Sequence, residues 1–405
     1  MSRIDWFKNW SRCRLVCLVV VLASIVVSTS AVTSSTPTAP AMEKIADADE
    51  QEEKEILVVF SDVDGTLVHY PKKRLRSERH NAILNLPPSS TGLRGVISSK
   101  TISMVQDIRK HGAKFVLISG MRTSTFLNRL PFLPRADAYC TEAGGRIFYP
   151  TTRDDAGFVV KPQKYDGCTD ADLEPFSLVE DMQWRAKMES ITGRYGLSDL
   201  KELSLNPGRV PPLNERDGLL WDFARHLISK GYVLDTAGYS ACFRVNQKQQ
   251  TTVTSEDFAA LSNGQLEVWD GLGTSVNLAC VDFYPAASGK KNCCQYLAEK
   301  FCPDLNTETL LHDHTVCLCD DDNDIEMASA CRHAYIPEIT SPNMADTITK
   351  SPEQFTVTGG VDVGKEGPVA SEAALKLILD LLRPKDHEVP PTGEEGGVEQ
   401  QEVDG

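Results

Sequence analysis

The sequence predicts an α/β fold, a doubly wound parallel sheet carrying an inserted α+β module. Three unbroken apolar runs of strand length point to it: "EILVVFS" (55–61), "AKFVLISG" (113–120) and the start of "TVCLCDDDND" (315–324). Continuous rather than alternating apolarity suits strands covered on both faces, as in parallel sheets. A helical pattern stands between the first two. "KTISMVQDIRKHG" (100–112) sets Ile102, Val105 and Ile108 on one face and stops at Gly112. "HAYIPE" (333–338) reads as a fourth strand. Strands alternating with helices predict the doubly wound arrangement.

Between residues 150 and 280 the texture changes. "DGLLWDFARHLISKG" (217–231) reads as a helix, and "YVLDTA", "SACFRVNQ" and "QLEVWD" read as short half-buried strands. The expected organisation is a core over 55–149 and 281–383 with a module inserted over 150–280. Trp184, Trp221 and Trp269 read as the module's core rather than as a ligand platform. Segment 69–99 is a basic, proline-bearing loop of a length often tied to function. Its Lys72, Lys73, Arg74 and Arg76 read as solvated surface.

The 405 residues leave room for two domains, and 41% hydrophobic with 24% charged residues describes a globular chain. A net charge of −15 argues against nucleic acid as a partner, since phosphate-backbone contacts need clustered Lys and Arg. It does not exclude a small phosphorylated metabolite. Arg3, Lys8, Arg12 and Arg14 precede "LVCLVVVLASIVV" (15–27), and small residues follow. That order describes a signal or targeting segment over 1–29, addressed to the secretory pathway or an organelle. Left uncleaved, it would anchor the chain to a membrane. Residues 30–54 read as a disordered acidic linker and 384–405 as a disordered acidic tail. Twelve cysteines suit an oxidising compartment, but several lie in apolar strands where cysteine serves as a small hydrophobe, so the redox state stays open. No CxxC pair suggests zinc. Oligomeric state is not legible.

The strand ends carry the chemistry. In parallel α/β sheets, ligands bind beyond the carboxyl ends of the strands. The first predicted strand ends in Asp62 and Asp64, the second in Ser119, the third in Asp320 to Asp324. Carboxylates gathered at one rim repel each other and call for a cation. Oxygen ligands without histidine favour a hard one, Mg²⁺. Such a cluster suits phosphoryl transfer, with one carboxylate as nucleophile and a second as general acid and base. The bland alternative is an N-capping aspartate followed by a turn.

"DVDGT" (62–66), "FVLISG" (115–120), a lysine opening a helix at 290 and "CDDDNDIEM" (319–327) resemble the haloacid dehalogenase (HAD) superfamily, in that family's order. "YCTEAGGRIFY" (139–149) and the insert behind it resemble the branch with a C2 cap, type IIB, which includes Cof-type and sucrose-phosphate phosphatases. The resemblance implies an HAD core with an inserted C2 cap and a Mg²⁺-dependent phosphatase acting on a small organic phosphate, such as a sugar phosphate. It implies Asp62 as nucleophile and metal ligand. Asp64 would be acid/base and offer its backbone carbonyl to the metal. Ser119, Gly120 and Asn323 would bind phosphate. Asp320 would ligate Mg²⁺, and Asp324 would support the metal or hold the lysine. A phosphomutase of the same cap type and a non-catalytic binding protein are the rival readings.

Here the chain departs from the family, because two lysines are adjacent in "SGKKNCCQYL". Steps of four, seven, eight and eleven from Lys290 reach Cys294, Leu297, Ala298 and Phe301, an apolar face. From Lys291, steps of four and eight reach Gln295 and Glu299. Lys290 is therefore expected to point toward the rim and Lys291 toward solvent. Arg122 stands one residue off the related T-G-R, which leaves its role open. Asp321 and Asp322 read as an exposed acidic loop.

Overall fold

Each apolar run becomes a strand of one large sheet. The computed structural model describes residues 54–71, 82–89, 92–152, 158–193, 210–263, 265–277, 280–360 and 365–383. The targeting segment, the acidic tail, the basic residues at 72–76 and the linker up to 53 lie outside the described residues. No helix among the described residues is long and apolar enough to cross a membrane.

Strands β1 (Val58–Ser61), β4 (Lys114–Ile118), β5 (Ala138–Thr141), β13 (Thr315–Leu318), β14 (His333–Ile336) and β15 (Phe355–Val357) run parallel in the order β15-β14-β13-β1-β4-β5. Successive residues face opposite sides, and both sides are covered. Val59, Phe115 and Leu117 pack with helices α1 (Ser99–Lys110) and α9 (Pro368–Leu382). Val58, Phe60, Val116 and Ile118 pack with α6 (Lys290–Phe301), α7 (Ile325–Ala330) and α8 (Pro342–Lys350). This two-sided burial explains why the runs are continuous. The chain winds from β1 to β4 and β5 on one side, then from β13 to β14 and β15 on the other. The strand order therefore reverses between β1 and β13, a topological switch point.

The module boundaries differ from those expected. β6 (Arg146–Thr151), β7 (Phe158–Val160) and β8 (Phe176–Glu180) extend the large sheet antiparallel beyond β5. Strands β7 and β8 therefore belong to the core sheet, because β8 pairs with β6 and β7 pairs with β8. The module has its own antiparallel sheet, ordered β11-β12-β10-β9. Its strands are β9 (Leu234–Asp235), β10 (Phe243–Asn246), β11 (Leu272–Asn277) and β12 (Cys280–Pro285). Residues 281–285 thus finish the module rather than resume the core. "QLEVWD" is irregular, and the strand follows it at Leu272. A further ribbon, β2 (Ile83–Asn85) with β3 (Val96–Ser98), occupies the expected loop 69–99.

The module sheet is amphipathic. Phe243, Val245, Val281 and Phe283 pack under α4 (Leu219–Ser229) and α5 (Ser255–Ser262), with Trp221 fully buried among them. Trp184 belongs instead to the core cluster, from α3 (Met182–Thr192), and its Nε1 donates to the Gly144 carbonyl at 2.9 Å. Trp269 packs edge-on against Phe223 at 5.2 Å between centroids. All three tryptophans fill packing positions, Trp221 and Trp269 in the module as expected and Trp184 in the core rather than the module.

A buried carboxylate joins core and module. Glu142, in the left-handed region (φ 54) of the β5–β6 turn, is fully buried. It accepts from the backbone N–H groups of Ser240 and Ala241 at 2.8 and 2.7 Å, and from the Thr123 hydroxyl at 2.7 Å. Glu142→Ala should leave two buried N–H donors without their acceptor. The expected cost is about 2–5 kcal/mol of unfolding free energy in urea titrations; a loss under about 0.5 kcal/mol would contradict this account of the joint.

Candidate active site

The carboxyl ends of β1, β4 and β13 lie side by side at the switch point, and each delivers a predicted residue. Asp62 follows β1 directly. Its chain then turns sharply, with Gly65 at φ +95 donating to the Val68 carbonyl at 2.8 Å. Val63, Leu67 and Val68 are drawn into the core by that turn. Glycine at 65 is required twice over. The backbone there is left-handed, and a Cβ would lie 2.1 Å from Asp320 Oδ2.

Asp320 follows β13. A short 3₁₀ turn, Asp322–Asp324, carries the next acids, closed by reciprocal side-chain caps between Asp321 and Asp324. Asp321 is thus buried, and Asp322 holds α8 through Ser341 and Asn343 (3.1 Å to the latter). Neither is the free surface acid that the sequence suggested.

Asp62, Asp320 and Asp324 converge, with one oxygen from each lying within 4.8 Å of the others. Lys290, the first residue of α6, sits between two of them. Its Nζ donates to Asp62 Oδ1 at 2.6 Å and to Asp324 Oδ1 at 2.5 Å. Lys290 is buried and Lys291 exposed, as the helical spacing predicts. Asp320 Oδ1 accepts from the Thr66 hydroxyl at 2.8 Å. Asp320 Oδ2 is buried and has no hydrogen-bond partner among the described residues.

The charges do not balance within the protein. Three carboxylates against one ammonium leave two negative charges, what a divalent cation carries. Burial pushes the Asp62 carboxyl up to about 7, with Lys290 pulling it down and Asp324 adding to the rise. Burial, then Asp62 and Asp324, hold Asp320 well above the usual carboxylate range. Asp324 is raised by burial too, against the pull of Lys290. Burial works against the Lys290 ammonium, but the attraction of Asp324 and Asp62 outweighs it and raises its pKa. An all-oxygen donor set with an orphaned buried oxygen fits a hard divalent cation.

The Asp64 carboxylate lies outside that trio. It pairs with Arg129 Nη1 at 2.9 Å and accepts from the Tyr70 hydroxyl. Ser119 follows β4, and its Oγ accepts from the Met121 N–H at 3.1 Å, which leaves its O–H to donate elsewhere. Asn323 is half-buried on the 3₁₀ turn.

The polar face of the module sheet meets the Ser119–Gly120 loop. Asp235, Arg244, Asp282 and Ser275 stand opposite one another in a row across four strands. Arg244 grips Asp282 through Nε and Nη2 at 2.5 and 2.6 Å. A Cβ on Gly120 would lie 2.9 Å from Asn277 Nδ2 and 3.5 Å from Arg244 Nη2. Arg122 crosses from the core to Asp235 at 2.5 Å and stacks over Tyr239 at 4.9 Å. Apart from Arg122, these residues and the Arg129–Tyr70 pair carry no sequence signal that marks them as site groups. Alternation in "CFRVN" and "CVDFYP" puts Arg244 and Asp282 on the polar side, but strand pairing alone brings them together.

No family model matches the sequence, and no curated protein matches it. Solved structures do. Thermoplasma acidophilum 0175 is 14% identical at a TM-score of 0.44, covering 81% of this chain and 100% of its own. The sucrose-phosphatase of Synechocystis sp. PCC6803, solved with sucrose and phosphate, is 12% identical at 0.42, covering 81% and 98%. BT1666 from Bacteroides thetaiotaomicron, a phosphatase of the haloalkanoate enzyme superfamily, is 14% identical at 0.40, covering 82% and 98%.

The raised carboxyls set a pH dependence. Folded Asp62 keeps its proton to about 7, whereas the unfolded chain releases it near the ordinary value of 3.8. Deprotonation therefore favours unfolding, and stability in chelator should fall as pH rises between about 4 and 7. A divalent cation held by the trio would flatten that slope by replacing the proton, and Asp62→Asn should reduce it. Urea midpoints that rise across this window in chelator would contradict the assignment.

Proposed function

We propose that this chain is a Mg²⁺-dependent phosphomonoester hydrolase of the haloacid dehalogenase type. It would act on a small organic phosphate through an aspartyl-phosphate at Asp62. The observation that carries this reading is the buried trio Asp62, Asp320 and Asp324, with Lys290 across two of them, at the switch point of a parallel sheet. A divalent cation held by the trio would offset the charge of the incoming phosphate and orient it.

The chain's own groups divide the remaining work. Asp62 attacks phosphorus, forming an Oδ–P bond as the ester P–O bond breaks. Asp64, protonated on the oxygen that Arg129 and Tyr70 do not hold, gives that proton to the leaving oxygen. Asp64, now a base, then takes a proton from water, which attacks the acyl phosphate and releases inorganic phosphate and Asp62. Lys290 fixes the Asp62 carboxylate and balances charge on the transferring group. The Ser119 hydroxyl and Gly120 N–H bind phosphate oxygens, and Asn323 contacts them from the 3₁₀ turn. The module excludes water from the acyl phosphate.

Purified protein lacking residues 1–53 should release phosphate from a panel of phosphomonoesters. Chelator should abolish release and Mg²⁺ should restore it. Asp62→Asn should abolish turnover in a protein that still folds. Lys290→Ala should cost at least about a hundredfold in kcat, as loss of a charge-stabilising donor does, while Lys291→Ala stays near wild type. Undiminished turnover in folded Asp62→Asn, or in excess chelator, would overturn the proposal.

A further inference from the structure

Arg129 is a buried cation that the reaction outlined above leaves unused. It ends α2 (Thr123–Arg129), its side chain is fully buried, and Asp64 is its carboxylate partner among the described residues. Nη1 reaches Asp64 Oδ1 at 2.9 Å and the Tyr70 hydroxyl at 2.7 Å. The Tyr70 hydroxyl in turn donates to the same Asp64 oxygen. Nε and Nη2 point the other way, to the carbonyls of Pro87 and Leu93 at 3.3 and 3.4 Å. Two donors thus converge on one oxygen of Asp64 and leave the other without a side-chain donor from this pair. The far side of the guanidinium is fastened to the segment between β2 and β3. A planar fork held at both ends fixes direction as well as distance.

We propose that Arg129 and Tyr70 are the positioning residues of Asp64. They hold its carboxylate by one oxygen so that the other meets the leaving group. This rests on the proposed phosphatase reading and adds to it the device that orients the acid. A burial role alone would not distinguish one ester from another. An orienting role does, because aryl leaving groups depart without a proton and alkyl ones need it.

The test compares kcat/KM, which reports the first transfer, for 4-nitrophenyl phosphate and for the alkyl phosphate the wild type hydrolyses best. Arg129→Met should lower the alkyl value about 10–100-fold and the aryl value less than about threefold. Tyr70→Phe removes one donor and should give a smaller shift of the same sign. Arg129→Lys, which keeps a single charged donor, should recover part of the alkyl rate. If Arg129→Met does not fold, Tyr70→Phe and Arg129→Lys decide. Equal falls on both esters, or none, would overturn the inference and leave the phosphatase reading standing. A wild type that hydrolyses neither ester would overturn that reading, and the inference with it.

Discussion

The molecule is organised around the cost of gathering acids in a dry place. Three carboxylates meet at the end of a sheet whose faces are both sealed, and burial alone would strip them of charge. Lys290 opposes this from a third direction. It is a lysine whose backbone belongs to a helix on one face and whose ammonium reaches the strand ends. The residual negative charge is what a divalent cation would offset. It also ties electrostatics to topology, because the strand order reverses where the repulsion would be greatest.

The surrounding fold makes this tolerable by rigidity. The Asp320 carboxylate cannot turn away, since Thr66 holds one oxygen and the bare Cα of Gly65 leaves room for the other. The 3₁₀ turn that carries Asp324 has its N-terminus capped reciprocally by Asp321 and Asp324, so backbone donors share the burden of holding negative charge. The module contributes a polar face on which Arg244 holds Asp282, while Asp235 is met by Arg122 from the core. The charges of this face are therefore balanced only when core and module are counted together.

Much of this was legible because it is local. Continuous apolar runs marked the central strands, and a polar residue at the end of each marked the rim. Lys290 could be told from Lys291 because helical periodicity relates it to Cys294, Leu297 and Ala298, all of which are buried. What escaped is non-local. Strands β7 and β8 look like module sequence, because a strand at a sheet's margin is covered less evenly than a central one. "QLEVWD" has strand composition, yet its Trp269 is satisfied by packing on Phe223, and the ladder goes to the plainer "LGTSVN" instead. The contact between Arg129 and Asp64 spans 65 positions in the chain, and no spacing rule reaches that far.

Gly120 carries a consequence of another kind. Asn277 Nδ2 stands 2.9 Å from where a Cβ at residue 120 would be, and Arg244 Nη2 stands in ordinary contact at 3.5 Å. The missing side chain is therefore what lets the polar face of the module approach the loop this closely. Any larger residue there would press first on the Asn277 amide, so its effect would be felt on the module side of the site while the loop kept its own backbone contacts.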